Sequence, residues 1–483
     1  LAATLGIDPF IFNKFLPSAI VLVTSGYCFG VCWQLFPVPV AGFVATLLLN
    51  QNLWISNDVA SATPRAFMYP LFLAFAYYLL RRSLVPCAIA IALLGLFYPQ
   101  GVFLGAGLLI LQLVTWEGRR LKLTRNLKDW RFCGVGLAAA LLVMLPYALT
   151  VSEFEPTLSV TQAREMPEFF DKGRSAFFSD SFEEYWLNGE RSGMFPRALF
   201  TPVPLIAGLF LPLLLPFPKR FPQLQKLQPT LRFIPQLLLV SVGMFFAAHA
   251  FLFELHLPSR YTAYSFQIAL ALAAGITLIL LLDGLLRWGF SPVKSHRFLR
   301  QGLALCITTL LGATLLLYPN FVDEFPLAKY KTGDAPTLYE FLQAQPPDTL
   351  VASLSAEANN LPSFTQRSIL VGSEYAIPYH LGYYQKFRQR VLDLLQAQYS
   401  PNLATVQGFI RTYGIDFWLL DRTAFDPVYV VQNPWLQQYQ PAAAIASQTL
   451  MGKETPALVE QMTRCSVLET PTLVLLDATC IAP

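Results

Sequence analysis

The stretch YTAYSFQIALALAAGITLILLLDG, residues 261–284, decides the fold. Its apolar residues run on without the alternation of a barrel strand. The stretch is also long enough to cross a bilayer as a helix, which takes about 20 apolar residues. Comparable runs lie at 15–34, 37–52, 66–80, 84–98, 101–116, 132–151, 198–216, 233–254 and 301–318. Ten spans are therefore expected within residues 1–318, with 37–52, which holds Asn50 and Gln51, and 84–98 short enough to be tilted or partly re-entrant. The chain is 54% hydrophobic and only 13% charged, with a mean hydropathy of +0.47. An average soluble chain carries about 25% charged residues. This composition excludes a disordered chain, a coiled coil, a purely soluble enzyme and a nucleic-acid binder with a basic patch. The chain starts at Leu1, and its opening LAATLGIDPFIFNK reads as neither a signal peptide nor a basic tail, so a longer natural chain is expected to precede it.

Charge fixes the expected sidedness. Sixteen Lys and Arg residues gather at 81–82, 119–131, 219–232 and 287–300, all on alternate loops. By the positive-inside rule these loops are cytoplasmic, which leaves 53–65, 99–100, 152–197, 255–260 and everything from 319 onward outside. The segment 319–483 holds ten Lys/Arg against fifteen Asp/Glu and reads as an ordinary globular domain.

In that domain, 336–343 has the pattern of a short amphipathic helix, and TLVAS (349–353), ILVG (369–372) and IDFWLL (415–420) read as buried strands. A helix is expected over 376–397 with Pro378 in its first turn. Another should begin at the Ser400–Pro401 pair and stop at Gly414, and CSVLE and TLVLL (465–469 and 472–476) should close a hairpin. Helices alternating with short strands give an α/β domain. The expected fold class is thus an all-α transmembrane bundle of about ten helices over 1–318, followed by a smaller extracytoplasmic α/β domain over 319–483. Only Cys465 and Cys480 lie in the outer domain, where they form either a disulfide or two buried free thiols.

The outer loops carry the candidate chemistry. Loop 53–65, LWISNDVASATPR, offers Asn57, Asp58 and Arg65. A carboxylate there can hold a divalent cation and an Arg can pair with phosphate; equally, Asp58 can cap the next helix and Arg65 can reach the headgroups. Loop 152–197 sets Phe169, Phe170, Phe177, Phe178, Phe182, Tyr185 and Trp186 among Arg164, Arg174 and Arg191. Aromatic faces suit sugar rings and acyl chains, and arginines suit pyrophosphate, although an interfacial amphipathic segment has the same look. Residues 249–261, HAFLFELHLPSRY, place His256 and Arg260 at the mouth of two spans joined by a tight Leu-Pro-Ser turn. Ionisable groups at such depth face a cavity or a partner.

The layout resembles the GT-C superfamily of polytopic glycosyltransferases, which includes protein mannosyltransferases, oligosaccharyltransferase catalytic subunits and YfhO-like bacterial membrane proteins. The resemblance is architectural over 15–318. It is closer in wording at PSRY (258–261) and in the tail at LYEFLQAQPPDTLVAS, NNLPSFTQRSILVGSEY and TYGIDFWLL. It implies transfer of a sugar from a polyprenyl-phosphate donor to an extracytoplasmic acceptor. It also implies that Asp58 is a catalytic acidic residue and the metal ligand, with a divalent metal (Mg or Mn) as a candidate cofactor. Arg65, Arg174, Trp186, Arg191, His256 and Arg260 are then the candidate substrate-binding residues, with Arg260 placed where an Arg can contact the lipid phosphate. If 15–34 corresponds to the family's second span, Asp58 occupies the second of its two acidic positions. The first outer loop, with the first acidic residue, is not in this sequence. The expected site is an outward-facing cavity between 53–65, 152–197 and 255–261, covered by the tail. The alternatives are a non-catalytic polytopic protein for lipid handling or assembly of an envelope complex, and a secondary transporter. The latter is disfavoured by the lack of internal pseudo-symmetry.

Overall fold

The computed structural model describes residues 6, 8–56, 58–60, 63–117, 120–149, 154–292, 296–326, 333–452 and 454–483. Two compact units result: Leu1–Thr150 with Ser181–Tyr330, and Val151–Asp180 with Lys331–Pro483. The second unit thus takes in the first part of the long loop, and its share of the tail begins at 331 and not at 319.

The first unit is a helical bundle: α1 Pro9–Leu35, α2 Pro39–Ile55, α3 Met68–Leu80, α4 Leu84–Phe97, α5 Pro99–Leu111, α6 Leu127–Leu149, α7 Phe233–Ala250, α8 Ala263–Gly289 and α9 Arg297–Leu317. Asp8 starts α1 by accepting from the amides of Phe10 and Ile11 at 2.8 and 3.0 Å, which satisfies two of the donors a helix start leaves open. Among the described residues, five segments are long and apolar enough to cross a membrane by themselves: Pro9–Leu35, Leu127–Leu149, Pro229–Ala250, Pro258–Gly289 and Arg297–Phe321. The chain is an integral membrane protein.

Two expected spans take a different form. Over 198–216 the chain makes a 3-10 segment, Val203–Phe210, and a single helical turn, Leu211–Leu214. Pro202, Pro204, Pro212 and Pro216 each remove an amide donor, so no long helix propagates. The run 101–116 ends as helix at Leu111, and Val114–Glu117 pairs with Arg120–Leu123 as an antiparallel hairpin, β1–β2.

Helix α8 is the axis of the bundle: 67% of its apolar stretch is buried, against 11% for α9. A side chain at Gly275 would meet the Ala41 carbonyl and the Ala45 Cβ, each at 2.7 Å, so α8 and α2 pack at a separation that only glycine permits. The polar residues of α2 have definite partners. The Asn52 amide donates to the carbonyls of Ala198 and Thr201 at 2.9 and 2.6 Å, Gln51 donates to Leu315 at 2.7 Å, and Asn50 donates to Ser25 at 2.8 Å. These amides pin the irregular backbone near 200 and the end of α9, where unsatisfied carbonyls in hydrocarbon would be costly.

The second unit is built on the mixed sheet β4-β3-β5-β7-β6, from Leu350–Ser353 (β3), Ser368–Ile369 (β4), Phe417–Asp421 (β5), Ser466–Glu469 (β6) and Leu473–Asp477 (β7). The β3–β4 and β3–β5 pairs are parallel, whereas β5–β7 and β6–β7 are antiparallel. Helices α10 (Pro336–Gln343), α11 (Leu381–Gln398), α12 (Leu403–Tyr413), α13 (Ala442–Met451) and α14 (Ala457–Cys465) complete the unit. Pro378 lies before α11 rather than inside it. Helix α12 is capped by Asn402, which accepts from the Ala404 amide at 2.9 Å, and not by Ser400. Gly414 ends α12 in the left-handed conformation, φ 64°. Cys465 and Cys480 are joined in a disulfide with a Cα separation of 5.6 Å, tying α14 to the C-terminal turn. Loop residue Glu168, 1% exposed, fastens 154–180 to this unit: it accepts from the Tyr384 hydroxyl and from Arg388 at 3.2 Å.

Candidate functional site

The hydrogen bonds of the first unit sort its loops by end. Arg82 reaches Asp129 (3.6 Å) and Gln112, Gln112 reaches Gln236, and Thr230 donates to the Gln34 carbonyl. The basic loops therefore share one end of the bundle. At the other end, the turn after α2, the start of α3, the α4–α5 junction and the turn between α7 and α8 converge.

Asp58 lies at this second end. After Ile55 the helix stops and the chain turns back through 58–60 to the 3-10 turn Pro64–Phe67, whose Pro64 suits the first position of a helical turn. Asp58 caps neither that turn nor α3, both of which lack a side-chain cap. Instead it accepts from the Tyr69 hydroxyl at 2.7 Å and from the Gln267 amide at 3.4 Å. Tyr69 packs edge-on against Tyr264 (5.4 Å between ring centres). Tyr264 packs in the same way against Tyr98 (5.3 Å) and accepts a hydrogen bond from its hydroxyl at 3.3 Å.

Arg65 and Arg260 both act electrostatically on Asp58. Burial pushes the Asp58 carboxyl above the usual carboxylate range, and the Tyr69 hydrogen bond, Arg65, the Gln267 hydrogen bond and Arg260 oppose it. The Tyr69 hydroxyl lies between two acceptors, Asp58 Oδ2 and Gln267 Oε1. Arg65 is half-buried, and its Nε is enclosed with no hydrogen-bond partner among the described residues.

The other sequence-derived candidates fall in three places. Arg191 is half-buried beside the Arg260 turn, since its carbonyl accepts from the Ser259 amide at 3.2 Å. His256 lies in the same turn with a left-handed backbone, φ 63°. Trp186 stacks on the end of α7, 4.5 Å from the His249 ring, and His249 Nε2 meets the Ser192 carbonyl at 3.0 Å; this aromatic wall fixes the loop to the bundle. Arg174 belongs to the second unit and pairs with Glu374 at 2.7 Å. Asn57 lies outside the described residues.

Sequence reading missed Tyr69, Tyr98, Tyr264 and Gln267. Gln267 carried a signal, as a carboxamide in a run that is otherwise apolar from Phe266 to Ile276. The tyrosines did not, because aromatics at membrane interfaces are common. As for the expected metal, the groups around Asp58 are two guanidiniums, a phenol and a carboxamide. Among the described residues, no three His, Cys, Asp or Glu side chains come together. Mg and Mn need several oxygen ligands, and among the described residues Asp58 supplies the one carboxylate of this set, whose guanidiniums suit an anion.

No family model and no curated protein matches the sequence. Solved structures do match. Archaeoglobus fulgidus oligosaccharyltransferase AglB, in complex with an inhibitory peptide and a dolichol-phosphate, aligns over 89% of this chain and 61% of its own, at 12% identity and a TM-score of 0.50. A structure of the same archaeal enzyme with Zn and sulfate aligns over 89% and 58%, at 14% identity and a TM-score of 0.46. ArnT from Cupriavidus metallidurans bound to undecaprenyl phosphate aligns over 100% and 86%, at 15% identity and a TM-score of 0.47. The chain thus spans about three fifths of the length of the archaeal structures. At such identities the likeness is one of fold: this chain shares the fold of the archaeal oligosaccharyltransferase structure, a transmembrane bundle with a C-terminal α/β unit.

Proposed function

We propose that this chain belongs to a membrane glycosyltransferase that moves a sugar from a polyprenyl-phosphate donor to an acceptor outside the cytoplasm. One observation carries the reading: the Asp58 carboxyl, held by Tyr69 and Gln267, lies within electrostatic reach of two arginines, Arg65 and Arg260, at the end of the bundle opposite the basic loops. In the reaction, the bond between the sugar's anomeric carbon and the phosphate oxygen breaks, and a bond to the acceptor oxygen forms. The lipid phosphate leaves as an anion, which Arg65 and Arg260 stabilise. Asp58 takes the acceptor's proton, and its raised affinity brings it closer to the ideal of a general base. Tyr69 and Gln267 hold the carboxyl in place. A Mg or Mn ion at Asp58 would need carboxylates beyond those among the described residues. By the charge rule, this end of the bundle and the C-terminal unit face away from the cytoplasm.

The test is polyprenyl-phosphate binding to the purified protein. Arg260→Ala should weaken it roughly ten- to hundred-fold, the range for one charge-assisted contact. Arg260→Lys should recover only part, because a bidentate contact is lost. Unchanged affinity in Arg260→Ala and in Arg65→Ala would defeat the reading. Full binding with no sugar transfer would favour the non-catalytic lipid-handling alternative, for which the single carboxyl of the cluster is the supporting observation.

A further inference from the structure

At the basic end of the bundle two cavities share one residue, Arg232. The first is an apolar groove of about 750 Å³. It runs from Phe195 and Leu199, in the loop at the Asp58 end, past Leu209, Phe266 and Ala273, to Leu238 and Arg232 at the start of α7. Arg232 is its one charged lining residue. The second is a small polar pocket of about 40 Å³, lined by Arg82, Gln112, Thr230, Arg232 and Gln236. There Gln112 donates to Gln236 at 3.0 Å, Gln236 donates to the Leu111 carbonyl at 3.2 Å, and Arg82 is held by Asp129 at 3.6 Å. Arg232 is exposed, and among the described residues it makes no ion pair.

A long hydrocarbon slot ending in a pocket with two guanidiniums and two carboxamides matches an amphiphile with an anionic head. Basic pockets between helices at the membrane surface bind anionic headgroups in this way, and the groove is within the usual size of a ligand cavity. We propose that this is a binding site for an anionic glycerophospholipid of the leaflet at the basic end. Its phosphate sits between Arg232 and Arg82, and an acyl chain lies in the groove along α7 and α8. The occupant is a phospholipid and not a polyprenyl phosphate because the cationic pocket lies at the end of the bundle opposite Asp58, Arg65 and Arg260. A bound chain would brace the proline-broken segment 203–214, which has no long helix of its own, against α8. The inference is independent of the glycosyltransferase reading, since it uses other residues at the other end.

The experiment is native mass spectrometry of the full chain released from nanodiscs of phosphatidylcholine doped with phosphatidylglycerol. Wild-type protein should retain phosphatidylglycerol in preference to phosphatidylcholine. Arg232→Gln should retain it about five-fold less, the effect of one basic residue on an anionic headgroup, and Arg232→Lys should keep most of it. Val242→Trp, which fills the groove from a half-buried position and leaves both arginines, should also lose the lipid. Equal retention of the two phospholipids, or unchanged retention in both Arg232→Gln and Val242→Trp, overturns the proposal. Displacement of phosphatidylglycerol by undecaprenyl phosphate with the same dependence on Arg232 also overturns it, by making the groove a donor site.

Discussion

Removing Arg388 should loosen the segment around Glu168 far more than neutralising Glu168 itself. The Glu168 carboxylate is 1% exposed, whereas the Arg388 side chain is 32% exposed and rests on the Tyr439 ring, 5.1 Å from its centre. In Arg388→Met the carboxylate stays buried, and among the described residues only the Tyr384 hydroxyl is left to donate to it. Leaving one charge of a buried pair uncompensated costs about 3–5 kcal/mol, and the partial exposure of this pair argues for the lower end, about 3 kcal/mol. In Glu168→Gln the carboxamide still accepts from Tyr384, and Arg388 can turn to solvent, so the loss is about 1 kcal/mol. The double variant should resemble Glu168→Gln and not the sum, because the buried charge is gone. Hydrogen exchange of residues 158–178 in the detergent-solubilised protein reads the local opening directly. Arg388→Met should speed exchange there by about 100-fold, and Glu168→Gln by less than about ten-fold, at 1.4 kcal/mol per decade. An Arg388→Met effect no larger than that of Glu168→Gln would refute the reasoning, because it would mean that water already solvates the carboxylate.

Three further outcomes are expected. The Asp58 proton affinity is raised in the folded state, so its contribution to stability is present below the ordinary carboxylate range and is lost as pH rises through the shifted value. Polyprenyl-phosphate affinity should fall over the same window, as the carboxylate forms beside the arginines, and Asp58→Asn should flatten that profile in a pH titration of binding; an unaltered profile would remove Asp58 from the site. Reducing Cys465–Cys480, or replacing both with Ser, should destabilise the C-terminal unit by about 3 kcal/mol in the chain-entropy account, read as a lower unfolding midpoint of the full chain, whereas an unchanged midpoint would leave the bridge without structural weight. Labelling of single cysteines at exposed Lys226 and exposed Gln385 with a membrane-impermeant reagent should place them on opposite sides of the membrane, and labelling on the same side would overturn the topology.

The spans were legible because lipid imposes a one-dimensional rule: a helix crossing hydrocarbon must be long and apolar, and residues 261–284 satisfy it without reference to any neighbour. The strands β3, β5 and β7 were legible for a related reason, as short apolar runs between turns. The alternating basic loops told in advance which loops share an end, and Arg82, Gln112, Gln236 and Thr230 meet there. Asp58, Arg65 and Arg260 could be singled out as costly groups near the membrane, but their proximity could not. Residues 58 and 260 are brought together by the packing of α2 on α8, which depends on Gly275, and sequence separation carries no trace of it. Tyr69 and Gln267 were invisible as a pair because their role exists only where two helix faces meet. The same holds for Glu168: its charge looks like any loop carboxylate until α11 supplies Tyr384 and Arg388 and removes the water. Sequence thus determined what each segment must be to survive in lipid or in a core. Only the tertiary structure decided which polar groups face one another, because that depends on contacts between residues far apart along the chain.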